Sequence, residues 1–187
     1  MKKRNYIIVI LLIIGIIGFT ITDFVIKPRK ERAENKYNLE QQDALTHDFK
    51  NVIKFKNKYM GNASNIINLN YALPLSNLSR TNELKPDKLE YIINYKDNST
   101  VIAAERLREA LIYNATANFA LIANLEIVTF NFSDAAYSIS RKDVQNWYKE
   151  ELSSLTEENK WKSEVQEKLS DRNYVDKFWK TNFMKKL

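Results

Sequence analysis

The 187-residue sequence contains no cysteine, one histidine (His47), three glycines and three prolines. Without cysteine there is no disulfide scaffold and no thiolate chemistry, and a zinc site would have to be built from carboxylates around a single imidazole. An animal-type ectodomain normally carries bridges, whereas a bacterial surface protein does without them. Three glycines cannot supply a phosphate-cradling loop of either the Walker or the dinucleotide type, so a nucleotide enzyme is excluded on composition. Positive charge on the body is also scarce. The chain is +6 overall, with 29 Lys and Arg against 23 Asp and Glu. Residues 1–32 hold seven of the bases and only Asp23 and Glu31, which leaves the remainder at +1. A nucleic-acid groove needs its cations on the folded body, so no nucleic-acid partner is expected.

The one long hydrophobic run is YIIVILLIIGIIGFTITDFVI, Tyr6 to Ile26, whose only charge is Asp23. As a helix rising about 1.5 Å per residue it reaches roughly 31 Å, the thickness of a bilayer's hydrocarbon layer. Tyr6 to Phe19 is apolar on every face, unlike an amphipathic core helix. No alanine precedes Ala33, and Thr20 with Thr22 or Gly18 with Ile16 fits the signal-peptidase requirement poorly, so the segment reads as an uncleaved signal-anchor. Lys2, Lys3 and Arg4 precede it while Lys27, Arg29, Lys30 and Arg32 follow, a balance that does not orient the chain by charge alone. A short basic tail before an apolar run resembles an export signal, and long domains translocate largely regardless of charge. The expectation is a cytoplasmic tail 1–5, a transmembrane anchor 6–26, a charged helical stalk 27–42 and an extracytoplasmic domain 43–187. The four membrane-flanking cations Lys27, Arg29, Lys30 and Arg32 read as a charged stop beside the bilayer.

Within the body, Leu45, Phe49, Val52 and Ile53 fall on one side of a helix running to about Lys58. Gly61-Asn62 offers left-handed backbone angles, Ser64 a cap, and Pro74 a stop, which predicts a short helix from Asn65 to Leu73. KLEYIINYK alternates as a half-buried strand, with Glu90, Asn94 and Lys96 on the wet side alongside Ile92. Ala104, Leu107, Leu111, Ala115, Phe119 and Ile122 advance by threes and fours, marking a central helix between Ala103 and Asn124. LEIVTFNF is a second strand, and YSIS from Tyr137 a short edge strand. Ser140 and Asp143 form a capping box for a helix through Trp147 and Tyr148. Thr156 starts another, with Trp161, Val165 and Leu169 as its apolar ridge. Tyr174, Phe178, Trp179 and Phe183 predict a docked C-terminal tail. The fold class expected is α+β, helices packed on a small antiparallel sheet.

Chemistry is hard to place. A nucleophile triad would need His47 as base and Asp43 as orienter, but no G-x-S-x-G elbow is present. Acid pairs at Glu105/Glu109, Glu150/Glu151 and Glu157/Glu158 read as wet helix faces among lysines. No catalytic, metal or cofactor residue is assigned. The candidate interaction residues are Tyr59, Gly61 and Asn62 in a turn and Trp147 on a helix, since loops carry function and aromatics line grooves.

Several stretches together resemble the bacterial, membrane-anchored family catalogued as domain of unknown function 4825. These are FKNVIKFKNKYMGNASNIINLNYALPL, LEYIINY, ALIYNATANFALIANLEIVTFNF and YSISRKDVQNWY, which span roughly Asp43 to Glu151. The resemblance implies a domain carried on membrane anchors in Gram-positive bacteria, in some cases at the end of metallopeptidase sensors. This chain has no His-Glu-x-x-His, so no catalytic residue carries over. The resulting expectation is a single-pass, non-enzymatic binding or sensing module in the cell membrane. Its partners would be the lipid bilayer and an unidentified membrane or envelope protein, with no metal. The alternatives are a constitutive accessory subunit of a membrane complex and an envelope hydrolase using His47, Asp43 and Asp48.

Overall fold

The computed structural model describes Ile7, Ile8, Leu11 and residues 19–186, in two units, 1–40 and 41–187. Of the anchor expected at 6–26, residues 6, 9, 10 and 12–18 lie outside the described residues. Among those described, no helix is long and apolar enough to cross a membrane. In the first unit a π-helical turn, Thr22–Ile26, leads into α1, Lys27–Glu40, none of whose residues is buried. Lys27, Arg29, Lys30 and Arg32 are all exposed on it. Its ion pairs are local: Lys27 with Asp23, and Lys36 with Glu40 at 3.7 Å.

The second unit is α+β. It runs α2 (Lys50–Ile53), α3 (Ala63–Ala72), β1 (Arg80–Lys85), β2 (Glu90–Tyr95), α4 (Ala104–Leu121), β3 (Ile127–Asn131), β4 (Ala136–Ser140), α5 (Arg141–Tyr148), α6 (Glu158–Lys160), α7 (Arg172–Asn182) and β5 (Met184–Lys186). The strands lie side by side in chain order. The sheet is mixed, not antiparallel as expected, because β2 and β3 pair in parallel from Glu90↔Ile127 to Asn94↔Asn131. The cause is α4: a helix inserted between neighbouring strands returns the chain to the end where it began, which forces the second strand into the direction of the first. The hairpin neighbours β1/β2 and β3/β4 are antiparallel, and so is β4/β5, whose strands are joined through the helices α5 to α7. YSIS is an interior strand, since β5 covers its far side.

Alternation places Tyr91, Ile93 and Tyr95 of β2 on the same face as Val128 and Phe130 of β3, and these join α4 in the hydrophobic core. On the opposite face Glu90 and Ile92 are buried too, which corrects the half-wet reading of this strand. β2 is an interior strand, and its polar neighbours bond across the sheet: Thr129 donates to Glu90 at 2.7 Å and meets Ser138 at 3.0 Å, while Asn131 donates to Asn94 at 2.7 Å. Each shared bond offsets the desolvation of a covered polar group.

α4 is the spine. From Glu109 to Leu121 every residue is buried, so the helix is covered all round and not on one stripe. Sixteen uncharged residues separate Glu109 from Glu126 in the sequence, and that run is what allows it. Its last carbonyls are capped by Arg141, whose Nη2 donates to Phe119 O at 2.9 Å and Ile122 O at 2.5 Å and whose Nε reaches Leu125 O at 2.7 Å. A cation at the negative end of the helix dipole suits that position.

Elsewhere local rules were partly overridden. The first helix shrinks to Lys50–Ile53, with Phe49 and Val52 buried and Leu45 at the surface. α3 is capped by Asn62, which accepts from Asn65 N, and not by Ser64. Leu73 is extended before Pro74, as proline's δ-carbon demands of its predecessor. Ser140 caps α5 by accepting from Asp143 N. The segment after Glu157 has no side-chain cap and changes from α to π to 3₁₀ between Glu158 and Ser170. Trp161, Val165 and Leu169 are nevertheless buried.

Candidate functional site

The His47 turn shows how tightly the polar interior is committed. The imidazole is 2 % exposed, with Nδ1 2.8 Å from Tyr113 Oη and Nε2 2.8 Å from Ala72 O. A carbonyl only accepts, so Nε2 carries the proton and Nδ1 accepts from the phenol. Burial pushes the His47 pKa down and the Tyr113 pKa up, which favours this neutral pair. The triad geometry is not formed: Asp43 instead accepts from Leu45 N at 3.0 Å and faces Arg106 at 3.4 Å. Both His47 nitrogens are consumed in tying the turn to α3 and α4.

Arg80 is a second committed group. It is 8 % exposed, and among the described residues no carboxylate pairs with it. Its Nη2 donates to Asn70 O at 2.5 Å and its Nη1 to Leu75 O at 3.2 Å, while the guanidinium lies 4.5 Å from the Tyr71 ring centre. Carbonyl dipoles and an aromatic face substitute for an anion. Behind it, Asn70 and Asn118 exchange amide bonds at 2.8 and 3.0 Å, and Asn114 donates to Pro74 O at 2.8 Å. These bonds hold Leu75 in a left-handed conformation, φ 67°, costly for a side chain with a β-carbon.

Leu75 forms one wall of a cavity of about 410 Å³. The turn Gln42 to Ala44, the loop Leu75 to Leu78, the loop Asp97 to Ile102, and Arg106, Glu109 and Ala110 of α4 enclose it. That is within the range of small-molecule pockets. Its rim is also ordered by bonds from afar: Gln42 donates to Ser76 Oγ at 2.7 Å, and Gln166 donates to Ala44 O at 3.0 Å. Three acids, Asp43, Asp97 and Glu109, line it against one base, Arg106.

Glu109 differs from His47 and Arg80 in bordering the cavity. It is 9 % exposed, its oxygens are not sealed from solvent, and among the described residues nothing donates to them. Burial pushes its pKa up, the charges of Asp43 and Glu105 push it further, and Arg106 opposes. The sequence reading placed it with Glu105 on a wet face. Glu105 is exposed, but Glu109 begins the covered part of the helix. The signal available was the uncharged run that follows it.

The residues singled out from the sequence sit elsewhere. Tyr59 is 58 % exposed, and the turn around it is sewn to the end of α4: Asn57 N donates to Leu121 O at 2.8 Å and Met60 N to Asn124 Oδ1 at 2.6 Å. Gly61 has no positive φ, and a β-carbon there would meet nothing within 4 Å, so the left-handed role assigned to Gly61-Asn62 is absent. Asn62 is a helix cap. Trp147 is half-buried, donating to Tyr174 Oη at 2.8 Å with its ring against Phe178. None of the four lines the cavity. Among the described residues no group of three His, Asp or Glu is arranged to hold a metal ion.

Residues 52–142 match the family model described as Domain of unknown function (DUF4825). The chain carries a domain of this family. The match is narrower than the stretch of resemblance, beginning at Val52 and ending at Lys142, and it contains Leu75, Arg80, Arg106, Glu109 and the asparagines of the buried ladder. No curated protein and no solved structure matches the chain.

Proposed function

We propose that this chain is a non-enzymatic binding or sensing module, held outside the cytoplasm by one membrane-spanning helix over residues 6–26, which takes its ligand or partner at the cavity beside Glu109. The observation carrying this reading is that Glu109, a largely covered acid lining the cavity, receives no hydrogen-bond donor from the described residues. Both His47 nitrogens and both terminal nitrogens of Arg80 are spent on internal bonds, whereas Glu109 receives no donor from the described residues and borders open space. Water still reaches its oxygens, so a partner's donor would replace solvent at a carboxylate that no protein group already satisfies. The anchor rests on the length and uniform apolarity of the leader, and the charged, unburied α1 fits a spacer between bilayer and domain. A hydrolase using His47 is disfavoured because neither ring nitrogen is free.

A photo-crosslinking side chain placed in the full-length protein at Val101, an exposed residue lining the cavity, tests the site in intact cells. The same probe at Lys88, exposed on the turn between β1 and β2, is the control. A reproducible adduct from Val101 alone supports the reading, and no adduct, or the same adduct from both positions, rejects it. Protease added to intact cells should digest the domain; digestion only after lysis would reject the extracytoplasmic placement.

A further inference from the structure

Building on that reading, we infer that the Glu109 cavity is a receptor for a small organic ammonium, a primary amine joined to an apolar arm. Three acidic side chains line the cavity and only Arg106 answers them, already facing Asp43 at 3.4 Å with most of its side chain in solvent. Asp43 is therefore partly satisfied, while Glu109, nine-tenths covered, receives no donor from the described residues. What the cavity lacks is one positive charge bearing several N–H donors, close to the start of α4.

An ammonium fits this vacancy better than a guanidinium or a metal ion. A compact three-donor cation can bond one half-covered carboxylate and still reach neutral acceptors such as the side-chain carbonyls of Gln42 and Asn77, both in the lining. No three-carboxylate grouping suited to a metal exists among the described residues. The rest of the lining is aliphatic: Ala44, Leu75, Leu78, Ile102 and Ala110 offer a surface for a short hydrocarbon chain. Leu75 is fixed in its left-handed conformation by Arg80 and Pro74 by Asn114, so this apolar wall is preformed and a ligand does not have to order it. Burial, together with Asp43 and Glu105, disfavours the ionised Glu109 in the empty cavity. An incoming ammonium reverses that balance.

The probe is leucine amide, which carries a primary ammonium and a branched apolar arm. N-acetyl-leucine amide, neutral, and N-acetyl-leucine, anionic, share the arm but not the charge. Each is titrated into the full-length protein in lipid nanodiscs, with methyl resonances of Leu78, Ile102 and Ala110 as the readout. Leucine amide should give saturable shifts, Glu109→Gln should weaken its binding by roughly ten- to a hundred-fold, and Arg106→Gln, which removes the competing cation at an exposed position, should tighten it. Equal binding of the acetylated compounds, or no effect of Glu109→Gln in a variant with otherwise unchanged spectra, overturns the ammonium assignment but leaves a ligand cavity. If none of the three compounds moves any of these resonances, the cavity reading falls with it.

Discussion

Lowering the pH from 7 to 5.5 protonates an ordinary histidine, but His47 resists, because a second ring proton would place a charge inside a covered site and force the Tyr113 hydroxyl to turn from donor to acceptor. Its pKa is depressed in the folded state by burial, against a value of about 6.5 in the unfolded chain. The unfolded state therefore binds more protons in this window, and stability falls with pH. The contribution is fully present above about pH 6.5 and is lost as pH drops from there towards the depressed folded value. The slope is at most about 1.4 kcal/mol per pH unit, which limits the loss to about 1.3 kcal/mol between pH 7 and 5.5. Glu109 acts with the opposite sign: its raised pKa makes the folded state hold a proton that the unfolded state releases, so acidification favours folding at that site. A Glu109→Gln background removes this offset. Urea unfolding of the full-length protein is followed by tryptophan fluorescence, Trp161 being stacked on Phe49 at 3.7 Å and edge-on to Tyr113 at 5.0 Å. His47→Gln, which keeps one donor and one acceptor but does not titrate, should flatten the pH dependence. A variant that loses as much stability as the parent over this range would refute the assignment of a neutral, doubly bonded imidazole.

Three further outcomes follow from particular residues. Ala103 occupies the N-cap of α4 with extended backbone angles and no side-chain acceptor, so Ala103→Ser should raise stability by about 1 kcal/mol in the same urea assay. Lys149 ends α5 with φ 57° at an exposed position, so Lys149→Gly should add about 0.5 to 1 kcal/mol. Arg141→Met keeps the length of the side chain but strips the carbonyls of Phe119, Ile122 and Leu125 of their donor, and it should cost roughly 2 to 4 kcal/mol.

The regular elements were legible in the sequence wherever one periodicity dominated. α4, β2, β3 and the Ser140 cap follow directly from spacing and capping chemistry. β1 was not visible, because RTNELK alternates weakly and sits at the sheet's edge, where its stability comes from pairing with β2 and little from burial. The parallel β2/β3 pair follows from the strand–helix–strand order β2–α4–β3, which was legible but not carried through to the expected sheet. The segment from Glu158 to Ser170 keeps an apolar ridge that reads as one α-helix, yet packing of Trp161 and Val165 is met by local winding changes. The site was the least legible part. Glu109 differs from Glu105 only by tertiary cover, and Arg80, held by backbone carbonyls and not by an acid, leaves no charge pair to read.

Titration of the Glu109 side-chain carboxyl by ¹³C NMR, in the full-length protein with and without leucine amide, reaches the heart of the matter. A covered, unpaired acid in an open cavity should titrate above the ordinary glutamate range and move down when the ammonium binds. A midpoint within the ordinary range that the amine leaves unchanged would contradict it.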